Sequence, residues 1–146
     1  MRHPEQKQWQ YLSTIMAGKW NAQRHEDKYS AGVPDVSYSM NGVDGWIELK
    51  TIESWPKNIK TTINIPHLKA GQVNWLEEFG KAGSGRMFLL LSVGEVQCSS
   101  DWVLIPWNRV RGVYDKQLSH MDLWDNILKN GTLTTELCSR LTMSYK

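Results

Sequence analysis

Asp35, Glu48 and Lys50 are the residues of this chain whose types and spacing could do chemistry. Asp35 closes the segment Gly32-Val33-Pro34-Asp35, and the other two stand in Trp46-Ile47-Glu48-Leu49-Lys50. Each segment is short and apolar, and the turn residues Asn41-Gly42-Val43-Asp44-Gly45 lie between them. Charges on such stretches need a reason, and a divalent cation with a water to activate is the strongest one. Mg²⁺ prefers oxygen ligands and is often held by one or two carboxylates plus a substrate phosphate, and Asp35 and Glu48 supply such a pair. A cation held there would neutralise charge building on a phosphodiester and lower the pKa of a water, two requirements of its hydrolysis. The backbone carbonyl of Leu49 could add a third oxygen. Lys50 is two residues from Glu48, so on a strand both side chains share a face. Its ammonium could then orient the attacking water or bind the scissile phosphate. Ile47 and Leu49 would face the other way, toward a covering helix.

The surrounding elements must bring these groups together. Residues 4–17 read as a helix: Pro4 suits a first helical position, Gly18 suits the position past the end, and Trp9, Leu12, Ile15 and Met16 recur at helical spacing. A short strand is expected over 20–23, then a polar loop over 24–31. Residues 33–40 alternate as a strand should, Asn41-Gly42 is a strong hairpin signal, and 45–52 is the partner strand. Residues 53–66 form a polar loop or extended arm. A helix is expected over 67–82, with Leu68, Val73, Leu76 and Phe79 on its apolar face and Gly83-Ser84-Gly85 as its stop. The continuous apolar run 86–93 suits a buried strand, and 102–106 another. Helices are expected over 119–129 and 132–141. The order describes a mixed α/β sandwich with a central sheet.

Length and composition narrow the class. A chain of 146 residues is one domain by the usual prior and long enough to bury a core. Its 40% apolar and 22% charged residues are ordinary for a globule. No apolar run approaches the roughly 18 residues that span a bilayer, and no apolar stretch follows Met-Arg-His-Pro-Glu-Gln-Lys, so neither a membrane span nor a secretory signal is expected. Cys98 and Cys138 are too few and too far apart for a disulfide framework and read as reduced thiols. The net charge of +2 does not by itself argue for nucleic acid. Position says more: Lys57, Lys60 and Lys69 fall just after the acidic motif and are candidates to face DNA, with Arg109 and Arg111 a weaker group. Trp55, in the polar loop after the motif, reads either as packing or as a base-stacking surface. His25 and Glu26 precede Asp35, where the histidine is either a phosphate contact or an ordinary surface residue. Glu53 is ordinarily solvated on such a loop.

Alone, Pro-Asp is a frequent turn dipeptide, and a Glu-x-Lys pair is ordinarily solvated charge. Together, with a hairpin between them and a helix in front, they resemble the PD-(D/E)xK nuclease superfamily, most similarly the RecU-type Holliday-junction resolvases and the VRR-NUC nucleases, several of them phage-encoded. The resemblance covers residues 4–106 and leaves 107–146 as a C-terminal helical extension of one nuclease domain spanning 1–146. It implies a restriction-endonuclease-like αβββαβ core, a central mixed sheet flanked by helices. It implies that Asp35 and Glu48 bind Mg²⁺, with Mn²⁺ as a substitute, and that Lys50 assists the water. It also implies a further metal-site acid on the first helix, matched by Glu5, and a glutamine on the helix after the motif, matched by Gln72. The activity implied is metal-dependent DNA cleavage, selective for Holliday junctions or other branches, in the cytoplasm or, if phage-encoded, the host cytoplasm. Resolvases act as symmetric dimers, because a four-way junction has two equivalent strands to cut. Met121, Leu123, Trp124, Leu128, Leu133 and Leu137 form either a homodimer face or, the favoured reading, a cover for the sheet of their own chain. Three rivals stand beside this reading: an exonuclease, a restriction-type nuclease, and a non-cleaving nucleic-acid-binding module. Intact carboxylates argue against the last, because without metal they repel phosphate.

Overall fold

The computed structural model describes residues 4–26, 32–96, 100–129 and 131–146. Cys98 lies outside them. A helix, α1 (Pro4–Ile15), is followed by three antiparallel strands, β1 (Asn21–Arg24), β2 (Val36–Met40) and β3 (Val43–Ile52). An arm then leads to α2 (Ala70–Ala82), which returns the chain to β4 (Met87–Val93), paired in parallel with β3. Next come β5 (Asp101–Pro106), α3 (Trp107–Tyr114), the short edge strand β6 (Ile127–Leu128) and α4 (Leu133–Arg140). The six strands lie in chain order in one mixed sheet. Up to β5 the order is the expected αβββαβ arrangement with a further strand.

Strand alternation sends the buried apolar residues of β2 to β4 to one of two cores. Val36, Tyr38, Met40, Ile47, Leu49, Phe88 and Leu90 pack with α1 and α4 around Leu12, Met16, Leu133, Leu137 and Leu141. Met87, Leu89, Leu91 and Val93 face the other way, against Val73 and Leu76 of α2 and Val110 and Val113 of α3. The apolar run of β4 is continuous because both its faces are covered.

The hairpin turn has the expected form. Asn41 and Gly42 both take positive φ, 52° and 81°, as a two-residue turn matched to strand twist requires. Glycine acts differently at Gly32. It has φ 95°, and a Cβ there would clash with the carbonyl oxygen of Gly71, so the segment leading to Asp35 lies directly against the first turn of α2.

Two expectations fail. The first is a helix over 119–129, where the chain instead makes a bridge from Ser119 to Thr62, a tight turn and then β6. Two causes are visible. The Asp122 carboxylate takes the Ser119 N–H at 2.9 Å and its hydroxyl at 3.0 Å, a local bond that competes with helix. In addition, Leu123 and Leu128 are buried in different cores. The second is the helix start: α2 begins at Ala70, not His67, because the Gln72 side chain accepts the Lys69 N–H at 2.9 Å and closes the first turn there. Within the expected C-terminal helical extension, α3 is a helix whose bounds the sequence reading did not give. Its Arg111 forks onto Glu77 of α2 at 2.6 and 3.2 Å, which holds that guanidinium above its ordinary pKa, and it also donates to Asn74 at 2.8 Å. Arg109 donates to Asn126 and to the Asp122 carbonyl. Both arginines therefore join parts of their own chain. Leu123, Leu128, Leu133 and Leu137 likewise cover their own sheet, while Met121 and Trp124 remain exposed.

The Tyr38 hydroxyl donates to the Leu141 carbonyl at 2.6 Å, tying the hairpin to the end of α4, and burial raises its pKa well above the ordinary tyrosine value. A raised folded pKa gives stability that is present below about pH 10, the unfolded tyrosine value, and is lost as pH rises above it. Tyr38→Phe should cost about 1–2 kcal/mol at pH 7 by leaving that carbonyl unpaired, and should flatten the alkaline loss of stability in urea melts. Gly32→Ala should cost roughly 1–3 kcal/mol through strain at positive φ. Gly71→Ala, whose Cβ would meet nothing within 4 Å, should be neutral or stabilising. Equal melts for the two alanine variants would refute the close approach.

Candidate active site

Register brings the two carboxylates to one face. Val36 pairs with Ile47 and Ser37 with Trp46. Asp35 stands one residue before β2 begins, and extending this register by that residue sets it on the level of Glu48, on the face that Glu48 shares. Asp35 is held from both neighbouring strands. Its carbonyl accepts the His25 N–H at 2.7 Å, and its Oδ2 accepts the Leu49 N–H at 2.9 Å. Because N–H and C=O of one strand residue face the same neighbour, the Leu49 carbonyl opens toward the Asp35 side too.

Glu48 and Lys50 are both buried, 2% and 5% exposed, and form an ion pair at 3.5 Å. The α2 side of the sheet grips this pair. Gln72 donates to Glu48 Oε2 at 3.1 Å, while the Lys50 ammonium donates to the His67 carbonyl at 2.9 Å in the segment just before α2. Gln72 thus does two jobs at once, since its Oε1 holds the start of its own helix. Lys69 stands at that helix start and is exposed.

His25 sits beside the carboxylates. Opposite Asp35 in the ladder, it bonds Ser37 Oγ at 2.8 Å, and its ring lies 5.1 Å from that of Trp46. Ser37 and Trp46 share the face of Asp35 and Glu48 by alternation. Lys57 and Lys60 are exposed on the arm and make no ion pair among the described residues. Glu53 is exposed as well.

Glu5 is not brought to the other two acids. Its Oε2 accepts from Thr51 Oγ1 at 3.2 Å. Thr51 alternates onto the α1 face, opposite Glu48 and Lys50. No group of three or more His, Cys, Asp or Glu side chains able to hold a metal is present among the described residues. The donor set at the site itself is therefore two carboxylates and a strand carbonyl. That set suits a hard cation that keeps waters and binds substrate phosphate, and does not form an all-protein cage.

One residue escaped the sequence reading. Gln8 of α1 is fully buried and donates to the carbonyls of Lys50 and Leu90, both at 3.0 Å, pinning β3 to β4 behind the site. The signal was present: Gln8 occupies the stripe of Leu12 and Met16, where an apolar residue is the ordinary choice. The His67 carbonyl left no signal, because any residue supplies one.

No protein-family model matches the chain. No curated protein matches it in sequence. Among solved structures it is similar to Hjc, a Holliday junction resolvase from the archaeal hyperthermophile Archaeoglobus fulgidus, with a TM-score of 0.53 and 13% sequence identity, over 93% of this chain and 98% of that one. The chain shares that protein's α/β fold, here a mixed six-stranded sheet flanked by helices.

Proposed function

We propose that this chain is a divalent-metal-dependent DNA endonuclease that cuts Holliday junctions or other branched DNA. The observation that carries the reading is the Asp35 carboxylate bonded to the Leu49 N–H, between Glu48 and Lys50, which are themselves paired at 3.5 Å. The fold shared with Hjc supports it. The resemblance to RecU-type resolvases and VRR-NUC nucleases, with phage-encoded members among them, belongs to the same proposal. So do a single nuclease domain over 1–146, a symmetric homodimer and action in the cytoplasm.

Asp35, Glu48 and the Leu49 carbonyl would hold Mg²⁺, or Mn²⁺ in its place. Once bound, the cation would supply charge neutralisation and an acidified water. The remaining roles fall to the chain's own groups. Gln72 holds the Glu48 carboxylate in one orientation, and the Leu49 N–H does the same for Asp35. An ammonium carries three donors. Lys50 turns toward Glu48 and the His67 carbonyl, which fixes its position and leaves a donor for the attacking water or the scissile phosphate. His25 is a candidate phosphate contact at the site's edge. Lys57, Lys60 and Lys69 would bind the backbone flanking it. Glu5, bonded to Thr51, is the further metal-site acid that the resemblance implies on the first helix.

The test is cleavage of labelled four-way junction, flap, linear duplex and single strand in Mg²⁺ or Mn²⁺. Junction or flap should be cut in preference to duplex, and Asp35→Asn and Glu48→Gln should each lose about a hundredfold or more. Lys50→Ala should lose turnover while keeping DNA affinity. No cleavage of any substrate would refute the enzyme reading, and equal cutting of linear duplex would refute branch selectivity. Replacing Lys57 and Lys60 with alanine should weaken binding and flatten the slope of log affinity against log salt by about 1.8, the release expected for two phosphate contacts. An unchanged slope would move the DNA path off the arm.

A further inference from the structure

An aromatic stack joins the arm after β3 to the segment before β6, and neither the carboxylate site nor the core accounts for its outer ring. The Trp55 ring lies on the His120 ring with centroids 3.8 Å apart and planes 2° from parallel. His120 in turn stacks on Trp124, at 5.5 Å and 25°. Trp55 Nε1 donates to Asp101 Oδ2 at 2.7 Å, so the inner end is anchored to the start of β5. The outer end is open: Trp124 is 61% exposed. A three-ring stack fixed at one end and bare at the other presents a flat π-surface of defined orientation. Exposing an indole in this way costs apolar burial, and packing alone gives no return for it.

Position and charge say what would cover it. Trp55 packs with the α2-side core, on the face of the sheet that carries Glu48 and Lys50. Ile52 lies four residues beyond Glu48 on β3, and Asp101 stands two strands away at the same level. Standard strand dimensions then put the inner end of the stack roughly 15 Å from Glu48. Lys57 and Lys60 lie on the arm that supplies Trp55 and are exposed. The nearby acid Asp122 turns its carboxylate onto Ser119, which holds its pKa below the ordinary value. An aromatic face beside exposed lysine ammoniums is the combination that takes bases on the ring and phosphates on the cations.

We propose that Trp124, held by His120 and Trp55, is a stacking platform for an unpaired nucleobase next to the cleaved strand. Lys57 and Lys60 take the phosphates beside that base. A fully paired duplex keeps its bases stacked inside and offers nothing to such a face, whereas a branch point or flap does. The platform therefore deepens the proposed activity, on which it rests, by giving a physical source for preference toward DNA with unpaired bases.

The experiment measures binding, not cleavage, and uses the full chain carrying Asp35→Asn so that DNA stays intact. The probe is a flap DNA with 2-aminopurine as the unpaired base at the branch, compared with the same DNA fully paired. Stacking on Trp124 should quench the unpaired 2-aminopurine, and Trp124→Ala should abolish the quench and cut the ratio of unpaired to paired affinity about tenfold, within the range for base–aromatic stacking. Trp124→Tyr should retain most of both. Unchanged quench and ratio in Trp124→Ala would overturn the platform. So would a Trp124→Ala protein that changes from dimer to monomer in sedimentation without altered base preference, since Trp124, with exposed Met121 and Ile59 nearby, would then be a self-association face. If stacking is seen while the wild-type chain cuts nothing, the platform stands and the nuclease reading falls. If the wild type cuts but Trp124→Ala leaves the quench intact, the reverse holds.

Discussion

The pairing of Val36 with Ile47 decides where both carboxylates stand. A strand alternates with period two, so a slip of one residue between β2 and β3 would move Glu48 and Lys50 into the α1 core and turn Ile47 and Leu49 toward the site. Two devices hold the register. The two-residue Asn41-Gly42 turn, with both residues at positive φ, fixes it at one end. Burial fixes it along the length, because Ile47, Leu49, Val36 and Tyr38 are all covered on one side. The same alternation leaves Glu48 and Lys50 buried on the other side, where isolated charges would be expensive.

That cost explains the local construction around α2. An ion pair at 3.5 Å would not by itself compensate burial, and the remaining bonding comes from Gln72 and from the His67 carbonyl. The helix can deliver them because Gly32 lies against Gly71, which brings the motif segment and the first turn of α2 into backbone contact. On the far side, Gln8 clamps the carbonyls of Lys50 and Leu90. The site is thus gripped from both layers of the sandwich, with Glu48 and Lys50 inside β3 and Asp35 one residue before β2.

Much of this was legible in the sequence because it is local. The hairpin, the facing of Ile47 and Leu49, and the buried strand β4 follow from patterns of short range along the chain, and the αβββαβ order follows from them. What could not be read depends on which of two cores a residue enters. The segment 119–129 has apolar residues at helix-like intervals, yet Leu123 and Leu128 go to different faces, and an Asp122–Ser119 bond takes the place of helical hydrogen bonds. Glu5 was matched by its position on the first helix. Its side chain reaches Thr51 on the opposite face, a distinction of helix phase that spacing to β3 does not encode. Trp55 could be read as packing or as a stacking surface, and its stack on His120 depends on a partner far along the chain.

The central claim is that Asp35, Glu48 and the Leu49 carbonyl form one cation site on the face shared with Lys50. Anomalous diffraction at the manganese edge, from crystals grown with Mn²⁺, tests it most directly. The account predicts a peak bounded by Asp35, Glu48 and the Leu49 carbonyl, lost in Glu48→Gln crystals. A peak bound elsewhere, or one that persists unchanged without the Glu48 carboxylate, would contradict it.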